Sequence, residues 1–314
     1  MAKARPASYA GTMTQHRGIP STRPARLSML AACGFAGVLA WVGSAHAAEV
    51  SAWVESAQSR ARLIDAGLTA NGATLLAGIE ISLAPQFITY WRDPGDAGVP
   101  PTFDFEGSAN LAAAEIRYPA PERLDEAGAI AFGYEDDVVF PLIVTPADPA
   151  KPVRLRVRID YAACHAICLP ARADLTGTLD GRASAEAGRV RDALAAVPRP
   201  DSVGGRGGPV QILAVRPDRD GFSVDARVGE GRGTLFVEAP EGWTYAAGAG
   251  VPSSSADAAP SGASPEGVIR VFSVKLLDRP KGTGLPDRPV VLTLVAPAGA
   301  IEVPVELDVG APKR

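Results

Sequence analysis

Cysteine, histidine and methionine are scarce: three of each in 314 residues. So few thiols exclude a disulfide-framework mini-protein, which needs several bridges to replace a core. Once the residues before Ala48 are set aside, they also fall short of the four protein ligands that a closed structural zinc site takes. Excess positive charge is absent as well, with 31 Lys and Arg against 35 Asp and Glu. Nucleic acid and anionic membrane surfaces, both of which want basic patches, are therefore disfavoured as partners. No apolar run reaches the roughly 20 residues that span a bilayer.

The chain begins with Lys3, Arg5, Arg17, Arg23 and Arg26, without an acidic residue, then an apolar run over 27–42 and Ser44-Ala45-His46-Ala47-Ala48. That order is the order of a secretion signal, with cleavage expected after Ala47. Removing residues 1–47 takes five of the 31 basic residues and no acidic one, leaving 26 against 35 and a net charge of −9. It also removes all three Met, Cys33, His16 and His46. What remains is two Cys and one His, all inside Cys164-His165-Ala166-Ile167-Cys168. The mature chain is expected to be soluble and exported, without direct membrane insertion, in a compartment where thiols pair.

Short alternating segments separated by turn residues fill the rest, a pattern of antiparallel β structure. The expected strands of a first domain, 48–197, are 61–69, 73–83, 138–145, 153–161 and 171–179, with Asn71-Gly72 as a hairpin turn. One short helix is expected within 183–197, where Val190, Leu194 and Val197 recur at helical spacing. Residues 198–209, rich in Pro and Gly, read as a linker. A second domain, 210–314, has expected strands at 210–215, 222–228, 234–238, 268–276, 289–295 and 301–309. It offers no Cys or His, so its expected part is to extend or orient the first. The fold class is all-β, two immunoglobulin-like sandwiches in tandem.

Cys164 and Cys168 follow the strand 153–161, and in an exported protein they tend to pair. A five-residue loop gains little from closure entropy, so the bond makes a poor staple. Three readings stay open: an inert clip, an exchanging disulfide assisted by His165, or a Cu(I) site using Cys164, His165 and Cys168 as soft ligands.

The segments 161–164 and 168–170, together with 90–101 (YWRDPGDAGVPP), Gly133-Tyr134 and Phe140-Pro141, resemble the N-terminal periplasmic domain of the thiol:disulfide interchange protein DsbD. Within that family the likeness is greatest to the suppressor-for-copper-sensitivity membrane reductases. The resemblance implies that Cys164 and Cys168 are the redox pair, with no cofactor beyond their disulfide. It implies a membrane-embedded thiol transporter as electron source and periplasmic thioredoxin-like proteins as recipients. It also implies a cap over the sulfurs, mapped here to Phe132, Gly133, Tyr134, Glu135 and Asp136, with Tyr161 and His165 in support. The cysteine spacing is tighter than in the best-known member. The full-length reductases carry a membrane domain and a thioredoxin-like domain not read in this chain, so a separate protein is expected to supply electrons.

Overall fold

In a computed structural model, residues 51–307 are described apart from 97, 127, 206–207, 230, 253–267 and 283–285. The leader read over 1–47 lies outside the described residues, as does the end of the expected strand 301–309. The first sandwich is built from β1 (Val54–Ser56), β2 (Ser59–Leu68), β3 (Leu75–Leu83), β4 (Ile88–Gly95), β5 (Thr102–Asp104), β6 (Leu111–Ile116), β7 (Glu122–Glu126), β8 (Ala129–Glu135), β9 (Asp137–Pro146), β10 (Val153–Cys164) and β11 (Cys168–Leu179). One sheet runs β1-β2-β3-β9-β6 and the other β11-β10-β4-β8-β7, with β5 alongside β10.

Alternation decides what each strand buries. In β10 the residues Val153, Leu155, Val157, Ile159, Tyr161 and Ala163 all enter the core between the sheets, while Arg154 and Arg156 stay exposed. Burying such aliphatic side chains is worth about 1.5–3 kcal/mol each. A Pro or a charge at an inward position of β10 would break this run. The strand extends past the expected 161 to Cys164, so the cysteines belong to the β10–β11 hairpin itself.

Helix α1 (Ala187–Ala195), shorter at both ends than the expected 183–197, lies on the outer face of the β1-β2-β3-β9-β6 sheet. Ala187 and Val190 pack there on Ile64, Ala66, Leu76 and Val139. Gly78 makes room, since a Cβ at that position would sit 2.7 Å from a Val190 methyl.

The second sandwich comprises β12 (Arg199–Pro200), β13 (Val210–Asp218), β14 (Gly221–Val228), β15 (Thr234–Glu238), β16 (Thr244–Ala247), β17 (Val251–Pro252), β18 (Ile269–Asp278), β19 (Val290–Ala296) and β20 (Gly299–Val305). Its sheets run β12-β20-β19-β15 and β13-β14-β18-β16, with β17 on β18. The segment expected as a plain linker contributes structure: Arg199 and Pro200 pair in parallel with Ile301 and Glu302.

The two sandwiches meet at β4. Phe236 of β15 is buried in the core of the first sandwich, 5.8 Å from the Trp91 ring and 4.9 Å from Phe132 between centroids. Arg92 donates from Nε and Nη2 to the carboxylate of Glu238 at 2.8 and 2.7 Å, and also to Glu302. Its guanidinium lies over Trp91. Burial works against the Arg92 charge, but the two carboxylates outweigh it and hold the guanidinium protonated. β4 is thus fixed from outside by the second sandwich, one residue after Tyr90.

Candidate functional site

Cys164 and Cys168 face each other across the last pair of the β10–β11 hairpin, with Cα atoms 4.0 Å apart and a disulfide between them. His165, Ala166 and Ile167 close the tip, where the His165 N–H donates to the Ile167 carbonyl at 3.2 Å. Cys164 is also paired to Ile88 of β4, so it is walled on both sides. The consequence is asymmetry: Cys164 is wholly buried, whereas Cys168 is exposed and its neighbour Ile167 is 68 % exposed.

Parity in β10 puts Cys164 on the face opposite Tyr161. With Ile88, Tyr90, Leu124, Ala131 and Ala162 it forms a small apolar cluster outside the main core. Tyr90 is fully buried. Its hydroxyl donates to both oxygens of Glu126, at 2.9 and 2.8 Å, and lies 3.2 Å from Cys168 Sγ. Glu126 Oε1 is itself 3.2 Å from Cys168 Sγ. Burial, reinforced by the carboxylate, pushes the Tyr90 hydroxyl well above the usual phenol range, so it stays a donor at any physiological pH. The loop after β4 lies on the tyrosine ring at Gly98, whose φ is +121°. A Cβ there would be 2.3 Å from Tyr90 Cε1, so only glycine permits that contact.

Beside the disulfide is a cavity of about 570 Å³ lined by Gln86, Glu126, Glu135, Asp136, Cys164 and His165, among others. The His165 ring packs against Phe87, 5.8 Å between centroids. Among the described residues, the ligand-capable atoms that converge within 4.8 Å of one another belong to Glu126, Cys164 and Cys168. His165 is not one of them, so the Cys-His-Cys ligand set does not assemble.

Of the residues expected to cap or support the pair, Phe132, Tyr134 and Tyr161 lie elsewhere, because of strand parity. In β8, Ala131 faces the disulfide cluster, while Phe132 and Tyr134 face the core and the second sandwich. Phe132 packs edge-on against Phe236. Tyr134 is buried 5.6 Å from Phe140 and donates to the Pro119 carbonyl at 2.9 Å. Of the expected cap, Glu135 and Asp136 reach the cavity. Tyr161 also points inward, its hydroxyl 2.8 Å from Ser59 Oγ, with burial raising its pKa. The aromatic at the sulfurs is Tyr90. It stood inside the quoted 90–101 segment, and counting alternate residues from the core residue Trp91 would have turned it to the other face.

A disulfide at a hairpin tip, joining a buried cysteine to an exposed one in an immunoglobulin-like sandwich, suits thiol-disulfide interchange. Residues 60–180 match the family described as thiol:disulfide interchange protein DsbD, N-terminal. A crystal structure of the N-terminal periplasmic domain of ScsB from Proteus mirabilis superposes with a TM-score of 0.62 at 19% identity, covering 82% of this chain and 98% of that one. Coverage so wide takes in both sandwiches, and the likeness is one of fold. No curated protein matches the sequence.

Proposed function

We propose that the chain is a periplasmic electron relay that accepts two electrons from a membrane-embedded thiol transporter and passes them to thioredoxin-like partners through Cys164 and Cys168. The observation that carries this reading is the unequal exposure of the two cysteines, Cys164 buried and Cys168 exposed. A donor thiolate attacks Cys168 Sγ, the sulfur within reach. The Cys164–Cys168 bond breaks, Cys164 leaves with the electron pair, and a mixed disulfide forms on Cys168. The donor's second thiolate then attacks its own half of that mixed disulfide and frees Cys168, leaving the dithiol. In the forward step Cys168 attacks a partner disulfide, and Cys164 resolves the adduct by attacking Cys168 Sγ. Two electrons leave with the partner and the disulfide is restored.

Glu126 and Tyr90 act on this cycle as positioning residues. A carboxylate 3.2 Å from Cys168 repels a thiolate there and restrains exchange with chance thiols. Docking of a partner that moves or neutralises Glu126 lifts the restraint. The ScsB domain of similar fold is periplasmic, and the matching family is one of thiol:disulfide interchange; both support the compartment and chemistry proposed. No helix among the described residues is long and apolar enough to cross a membrane.

A redox titration with a partner trap tests the reading. A potential within the range of exchanging disulfides, with thioredoxin-like proteins captured on Cys168 in a Cys164→Ala chain, is the expected result. A potential below about −300 mV, as in structural bonds, with no adduct on Cys168, contradicts it.

A further inference from the structure

We propose that the reduced pair forms a zinc site, with Cys164 and Cys168 as thiolate ligands and the Glu126 carboxylate as the third. The inference deepens the exchange reading but requires only that the disulfide can be reduced, not that it exchanges with partners.

The three ligand atoms already lie within 4.8 Å of one another. Zinc binds thiolate at about 2.3 Å and carboxylate at about 2.0–2.2 Å, so tetrahedral ligands sit roughly 3.5–3.8 Å apart. Glu126 Oε1, at 3.2 Å from Cys168 Sγ, needs only a small adjustment. The chemistry of the third ligand selects the metal. A carboxylate oxygen is hard, and two thiolates with one carboxylate suit Zn(II) better than Cu(I). Tyr90 donates to both carboxylate oxygens and holds the group in place, as the outer partners of metal ligands do. Each oxygen keeps a free lone pair for the ion. The cavity of about 570 Å³ that reaches Cys164 and Glu126 gives the ion a way in, and Glu135 and Asp136 on its wall favour a cation.

Binding moves no electrons. The two thiols lose two protons to solvent, two Zn–S bonds and one Zn–O bond form, and a water completes the fourth position. The disulfide has no thiolate to offer, so zinc and oxidation exclude each other. Zinc therefore blocks the relay in its loaded form, by occupying the attacking sulfur.

The test uses the untagged chain carrying Cys33→Ala, so that Cys164 and Cys168 are its only thiols, reduced chemically and confirmed to show two titratable thiols. Zinc(II) alone is added in competition with a chromophoric chelator. The expected result is one zinc per reduced chain and none for the oxidised chain. Glu126→Gln should weaken uptake roughly tenfold or more, and His165→Ala should leave it within about twofold. A reduced chain that takes no zinc, a Glu126→Gln chain that binds as tightly as the parent, or a His165→Ala loss equal to that of Glu126→Gln overturns the site. A chain that takes zinc but traps no partner overturns only the exchange reading. A pair that resists reduction overturns both.

Discussion

Asp65 and Glu80 are buried in the first sandwich, whereas the buried polar side chains of the second, Gln211 and Thr293, are uncharged among the described residues. Glu80 is matched by Arg62 at 2.5 Å and by Arg189. Asp65 accepts from the Gly67 N–H at 2.8 Å through one oxygen, and its other oxygen has no partner. Both sandwiches close two sheets on an apolar core, yet the one that holds the disulfide also carries the buried charge. The other is apolar inside and turns Phe236, Glu238 and Glu302 toward β4. The difference separates two tasks. The first sandwich holds reactive groups at a cost in stability, and the second braces the strand that carries Tyr90.

Breaking the brace has the largest expected effect. Phe236→Ala empties a buried aromatic site between Trp91 and Phe132 and should cost about 3–5 kcal/mol, read from denaturant unfolding, with a red shift of tryptophan emission. A loss below about 1 kcal/mol would mean that the second sandwich is not a brace.

Next is the buried charge. Burial pushes the Asp65 carboxyl from 3.8 up to about 6, with Asp180 adding to the shift against the Gly67 and Asp180 backbone hydrogen bonds. Between about pH 4 and 6 the folded state binds the extra proton, so stability falls as pH rises through that window. The parent should lose roughly 2 kcal/mol between about pH 4 and pH 6.5 relative to Asp65→Asn, measured as the difference in unfolding free energy at those two pH values. Equal slopes for the two chains would remove the asymmetry between the sandwiches.

The smallest effect concerns the restraint at the sulfur. In the reduced protein, Glu126→Gln should speed alkylation of Cys168 at pH 7 by roughly three- to tenfold. An unchanged rate would show that the carboxylate does not govern that thiol.

Much of this was legible from residue order. Alternation in 153–161 predicted a half-buried strand, and the two cysteines stood out once the third, Cys33, was assigned to the leader. The rest was hidden for physical reasons. Glu126 lies in β7, whose sequence Glu-Arg-Leu-Asp-Glu offers one buried residue, Leu124, and too little alternation to announce a strand. Its approach to Cys168 bridges 42 positions and depends on β8 lying between β7 and β4. Phe132 and Tyr134 were near the right strand but of the wrong parity, and a one-residue step changes the face. The Phe236 contact joins segments more than a hundred residues apart, which no local pattern reports.

In the relay proposed, the sulfur that meets partners is that of Cys168, not Cys164. Incubating the reduced Cys164→Ala and Cys168→Ala chains with a thioredoxin-like protein in its disulfide form, then mapping adducts by mass spectrometry, tests it directly. The account predicts a stable mixed disulfide on Cys168 in the Cys164→Ala chain and little or none on Cys164 in the other. Adducts that form as fast on Cys164 would contradict it.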